Sequence, residues 1–203
     1  MPAGFEAAGR MALFRVNATR GGTLRLAGRA GDWRPALEAA LAGVPQAAPV
    51  CILVHGFRFT WRPEMGAGSH CPHSRLYLEE AVAPERRLRP ARAAWPAALG
   101  FAEAGPGDGL CICLGWDARL SRSGVSLLRG RGFAEVYRGA GTAGQALATL
   151  VAAVAEARPG RPVDVLAHSL GARVALAATA IAPNLPYGRL VLLGAAEYAG
   201  EAR

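Results

Sequence analysis

The run Val165-Leu166-Ala167-His168-Ser169-Leu170-Gly171 sets a serine between an apolar stretch and a stretch of helical character. A serine hydroxyl becomes useful for acyl transfer when a sharp strand-to-helix turn lifts it above the end of a sheet. Strand and helix backbones then approach closely, so the residues two before and two after the serine must be small. Ala167 and Gly171 meet that condition. The start of the helix adds free N–H groups and a partial positive charge beside the hydroxyl. Ser169 is therefore the candidate nucleophile.

A second element is Val54-His55-Gly56-Phe57, which follows another apolar run. Acyl transfer passes through an oxyanion that two aimed N–H donors stabilise. One donor is the amide of Leu170, the residue after the serine. The other is expected from the loop after the earlier strand, at Phe57, with Gly56 allowing the sharp turn. His55 and His168 are read as supports of the two turns, and Gly171 as the small residue that closes the packing.

These turns need elements to carry them. Met11 to Ala18 and Thr23 to Ala27 read as an antiparallel hairpin. Asp32 is a helix N-cap, and Trp33, Leu37, Ala40 and Leu41 form the apolar stripe of a helix that stops at Gly43. Pro49 to Val54, Leu110 to Trp116, Pro162 to Ala167 and Arg189 to Ala195 are apolar runs of strand length. Ala134 to Ala157 and Leu170 to Ile181 are apolar at helical spacing and end before Pro159-Gly160 and Pro183. Arg58 to Arg75 reads as a long functional loop, Leu76 to Val82 as a short helix, and Pro84 to Pro106 as a surface excursion with a helical turn near Trp95 to Leu99. Strands alternating with helices, after an antiparallel hairpin, predict one α/β domain over residues 1–203 with a mostly parallel, doubly wound sheet.

Composition excludes several classes. The chain has 203 residues, 52% of them hydrophobic and 19% charged, which suits a folded core rather than disorder. No apolar stretch reaches the ~18 residues that span a bilayer, so no membrane span is expected. Residues 1–20 show no secretory leader, and a cytoplasmic location is expected. The net charge is +8, carried entirely by arginine. Its densest cluster, Arg86, Arg87, Arg89 and Arg92, lacks interleaved aromatics, and no nucleic acid partner is expected. Cys51, Cys111 and Cys113 lie in apolar runs and read as small hydrophobes; neither their spacing nor that of His70, Cys71 and His73 favours a metal. No metal or other cofactor is expected.

Taken together, Pro49 to Ala199 resembles the α/β-hydrolase superfamily, and most closely small bacterial lipase- and esterase-like serine hydrolases with a His-Gly oxyanion loop and an Ala-His-Ser-x-Gly turn. The resemblance implies cleavage of carboxylic esters or thioesters with no cofactor. It also implies a Ser–acid–His triad in that chain order. Glu197, just after the last strand, then falls where some members carry the acid; Asp117, at the end of an earlier strand, is the alternative. No histidine follows Ser169. His70 and His73 are the only other candidates for a base, since His55 and His168 belong to the turns. The fold of the resemblance ends a strand and a half later than this chain, so the expectation is a C-terminally short domain whose exposed sheet edge invites strand exchange or a homodimer. A binding module without catalysis is the rival reading. Trp116, Phe57, Phe59 and Trp61 are candidates to line an acyl pocket, and Tyr137 and Arg138 to reach the site.

Overall fold

Among the described residues, one mixed seven-stranded sheet organises the chain. The computed structural model describes residues 5–8, 11–62, 70–77, 94–99, 109–119 and 132–197. In chain order the strands are β1 (Phe5–Ala8), β2 (Met11–Ala18), β3 (Leu24–Leu26), β4 (Val50–Val54), β5 (Leu110–Gly115), β6 (Val163–His168) and β7 (Tyr187–Leu193). The helices are α1 (Trp33–Ala42), α2 (Trp95–Ala98), α3 (Gly132–Ala157) and α4 (Gly171–Ile181), with a π-helical turn at His73–Tyr77.

The spatial order is β1-β2-β5-β4-β6-β7, with β3 also pairing β2. The expected hairpin is present, Val16 opposite Leu26 and Ala18 opposite Leu24. β1, which the sequence pattern did not reveal, pairs antiparallel with the other half of β2. All remaining pairings are parallel, including β2 with β5. The result is an α/β architecture with a mostly parallel sheet.

Alternation along the strands separates two cores, because successive side chains point to opposite faces. Phe14, Ile52, Ile112 and Val165 share one cluster with Leu37 of α1, Leu147 of α3 and Val174 of α4. Leu13, Leu53, Cys111 and Cys113 face the other way, toward Tyr77, with Trp95 and Leu166 packed against them. β4 and β5 are thus sandwiched, which explains their unbroken apolar runs. Each fully buried Leu or Ile there contributes about 1.5–3 kcal/mol.

The cysteines behave as hydrophobes. Cys51 lies opposite Cys111 in the β4–β5 register. Burial pushes the Cys51 thiol up to about 12 and raises that of Cys111 well above its ordinary value. Both stay protonated, the form that neither ligates metal nor attacks electrophiles.

Two boundaries differ from expectation. The segment expected as a helix at Leu76 to Val82 begins as the π-helical turn at His73–Tyr77, and 78–82 lie outside the described residues. The last strand runs Tyr187–Leu193 rather than Arg189 to Ala195, since Gly194 takes a left-handed φ of 54° and turns the chain out of the sheet. β7 pairs only with β6 among the described strands. Its Leu190, Val191 and Leu193 are exposed, unlike the apolar residues of β4 and β5. Among the described residues no helix is long and apolar enough to cross a membrane.

Candidate functional site

The chain leaves β4 toward β5 on one side and leaves β6 toward β7 on the other. Their neighbouring carboxyl ends therefore form the switch point of the sheet, where open α/β sheets leave a crevice for ligands. Both sequence-derived turns lie there.

Ser169 follows β6 directly and precedes α4. Its φ is 52°, in the left-handed region that a residue with a side chain enters at a cost of about 1–3 kcal/mol. Three backbone bonds hold it there. Its N–H donates to the Leu193 carbonyl at 2.9 Å, and its own carbonyl accepts from Ala172 at 3.0 Å and Ala196 at 3.1 Å. Ser169 is half-buried, and its hydroxyl makes no hydrogen bond to another described residue.

The loop after β4 presses against this turn. A methyl group on Gly56 would lie 2.8 Å from the His168 carbonyl oxygen and 2.8 Å from Cβ of Ser169. One on Gly171 would lie 2.6 Å from the carbonyl oxygen of Val54 and 2.7 Å from that of His55. Any side chain at either position would push the two turns apart. The chain then reverses at Arg58, whose φ is 81° and whose N–H donates to Ala118 at 2.9 Å. The amides of Phe57 and Leu170 make no hydrogen bond to another described residue.

His55 braces the loop. It is fully buried, and its Nε2 accepts the Trp116 amide proton at 3.0 Å. Nε2 therefore carries no proton, and Nδ1–H donates to the Gly56 carbonyl at 2.8 Å. The Trp116 indole N–H in turn donates to the His55 carbonyl at 2.7 Å, and the two rings stack at 5.8 Å. Burial lowers the His55 pKa to about 4, so the ring is neutral at pH 7. With both nitrogens engaged, it is a strut and not a base.

The other histidines point elsewhere. The exposed His168 ring packs edge-on against Trp95 at 5.7 Å. His73 is buried and donates from Nε2 to Oδ1 of Asn17 at 2.7 Å; burial lowers its pKa to about 3. It is held at the carboxyl ends of β2 and β5, beside Asn17 and Gly115. His70, Cys71 and His73 do not converge, and among the described residues no group of three His, Cys, Asp or Glu side chains is placed to hold a metal.

Glu197 reaches the neighbourhood of Ser169 through the chain, one residue after the Ala196 amide that binds the Ser169 carbonyl. Its carboxylate faces cations and hydroxyls. Arg173 Nη1 donates to Oε2 at 2.8 Å, and the Tyr137 hydroxyl donates to Oε1. Arg173 also donates to the Tyr137 carbonyl at 3.1 Å and hydroxyl oxygen at 2.7 Å, with its guanidinium 3.7 Å over the Tyr137 ring. The Glu197 side chain is 4% exposed. Of the two sequence candidates on this helix, Tyr137 contacts Glu197, and Arg138 turns back to the Ala134 carbonyl. Arg173 was missed, since a charged residue on a helix reads as surface. Asp117 is tied to Arg20 at 2.8 Å and Arg62 at 3.6 Å, an end-of-strand ion pair.

The aromatics divide. Trp116 is buried in the cage around His55. Phe59 packs edge-on to His55, and the Trp61 indole N–H donates to the Ala18 carbonyl at 3.0 Å. Phe57 stands next to Phe133 at 5.8 Å, and Phe133 next to Tyr137 at 6.2 Å. Phe133 is 49% exposed. It was missed because the helical pattern reads from Ala134, one residue later.

Comparison with known proteins finds no matching family, no matching curated protein and no matching solved structure.

Proposed function

We propose that this chain is a serine hydrolase of the α/β-hydrolase type, acting on carboxylic esters or thioesters through an acyl-enzyme on Ser169. The observation that carries the reading is the conformation of Ser169: a non-glycine residue at φ 52° between a parallel strand and a helix, packed against a glycine turn. Strain of this kind persists where the surroundings over-determine it, and it concentrates at functional sites.

In this reading the Ser169 oxygen attacks the acyl carbon as its proton passes to a base, the alkoxide or thiolate leaves and takes up a proton, and water then cleaves the acyl-enzyme to release the acid and free Ser169. The Phe57 and Leu170 amides receive the developing oxyanion, and the amino end of α4 adds its partial positive charge. The row Phe57, Phe133 and Tyr137 supplies an apolar ledge beside the nucleophile for the acyl group. Glu197, held by Arg173 and Tyr137, fixes the segment that holds the Ser169 backbone and is a positioning residue. The proton of Ser169 needs an acceptor at hydrogen-bond range, and no described histidine offers one. That last observation favours a second reading, a ligand-binding module on the same scaffold.

Covalent labelling by a fluorophosphonate, with the modified peptide mapped by mass spectrometry, tests the reading, and Ser169→Ala is the control. Turnover of p-nitrophenyl acetate or butyrate that disappears in Ser169→Ala separates the enzyme from the binding module.

A further inference from the structure

At the opposite edge of the sheet, where β4 and β6 begin, Arg158 is buried at the carboxyl end of α3 with 1% of its surface exposed. Nη2 donates to the Pro45 carbonyl, while Nε and Nη1 have no hydrogen-bond partner among the described residues. The carbonyl end of α3 favours a cation there, which explains the charge but not two idle nitrogens. Arg161 lies beside it and donates to the Ala47 carbonyl. Burial, and then the neighbouring Arg161 charge, hold the Arg158 pKa below its ordinary value.

Both arginines border a cavity of about 130 Å³ with Ala47, Pro49 and Pro162. Asp164 also borders it, with its carboxylate paired to Arg189. Oδ1 accepts the Arg189 amide at 2.8 Å, and Oδ2 accepts Arg189 Nη2 at 2.7 Å and Nε at 3.1 Å. Leaving a buried guanidinium uncompensated costs several kcal/mol. A cavity with room for roughly four water volumes, at ~30 Å³ each, fits an ion of four or five heavy atoms.

We propose that Arg158 and Arg161 form a binding site for a small oxyanion, a phosphate or a carboxylate, at the amino edge of β4 and β6. It lies a strand length from Ser169, about 17–20 Å along β6, and is independent of the chemistry there. The anion would bridge the end of α3 to the Pro45–Pro49 segment and the start of β6.

Isothermal titration with inorganic phosphate and with acetate, at matched ionic strength in chloride, tests the proposal. Saturable binding of at least one anion is expected, and the tighter of the two names the class. Arg161→Ala removes an exposed side chain and leaves the core intact; it should weaken binding ~10-fold, the loss of one charge-assisted contact. Arg25→Ala, on β3 at the far side of the sheet, removes the same charge and should leave binding unchanged. Arg158→Met, where folded, should abolish binding. Absence of saturable binding by either anion overturns the proposal. So does equal weakening in Arg161→Ala and Arg25→Ala, which would mark a response to overall charge.

Discussion

The carbonyl oxygen of Ser169 accepts the amide proton of Ala196 at 3.1 Å. That bond ties the strained turn to the segment whose next residue, Glu197, is locked by Arg173 and Tyr137. Two helices and the end of β7 thus converge on the conformation of one serine. Because Glu197 is buried and hydrogen-bonded to the half-buried Arg173, their removal should be non-additive. Arg173→Ala, which strips the buried Glu197 of its cation, should destabilise by about 3 kcal/mol, and Glu197→Ala, which leaves a partly exposed arginine, by about 1–2 kcal/mol; a urea-denaturation cycle should give a coupling of at least ~1 kcal/mol. Additive losses would show that the pair does not act as a clamp.

The backbone of the turn carries two opposite expectations. Ser169→Gly relieves the left-handed strain and should raise stability by about 1 kcal/mol, at the expense of the hydroxyl. Gly56→Ala places a methyl group 2.8 Å from a backbone oxygen and from Cβ of Ser169, and should lower stability by about 2–4 kcal/mol. Thermal unfolding of the two variants checks both signs.

Acid should weaken the fold through His55 and His73. Both are held neutral by burial, with pKa values lowered to about 4 and about 3. The unfolded chain takes up protons near the ordinary value of 6.5, while the folded chain refuses them until the lower values. Stability is therefore fully present above about pH 6.5 and falls as the pH drops toward 4. The slope approaches ~1.4 kcal/mol per pH unit for each histidine. Urea midpoints between pH 7.5 and 5 measure it, and His73→Phe should shallow the fall by about half.

Phe133 is expected to set acyl preference. It is exposed and sits between Phe57 and Tyr137, so a longer acyl chain gains apolar contact there. Phe133→Ala should reduce the advantage of a long-chain over a short-chain alkyl fluorophosphonate ~5–10-fold in labelling rate, with the short-chain rate unchanged. An unchanged ratio would remove the ledge from the account.

Much of this organisation is legible in the sequence, and the exceptions have physical causes. β4 and β5 announce themselves as continuous apolar runs because both faces are covered. Asp32 caps α1 through the Arg34 amide at 3.0 Å, as its position suggested. The two turns were legible because close backbone approach demands small residues at fixed offsets, and Gly56 and Gly171 are those residues. β1 was not, because four residues of Phe5–Ala8 carry no alternation. The role of Arg173 was hidden because its partners lie 24 and 36 positions away in the chain. Asp117, the alternative acid at a strand end, is engaged there by Arg20 and Arg62 as an ion pair.

The central claim is that Ser169 is an activated nucleophile. Incubating the folded protein with a fluorophosphonate at pH 8 and mapping the adduct by mass spectrometry tests it most directly. The account predicts a stoichiometric adduct on Ser169 that forms faster than on any other serine, and no labelling in Ser169→Ala. A folded protein that stays unmodified, or one labelled equally in the Ser169→Ala variant, would contradict it.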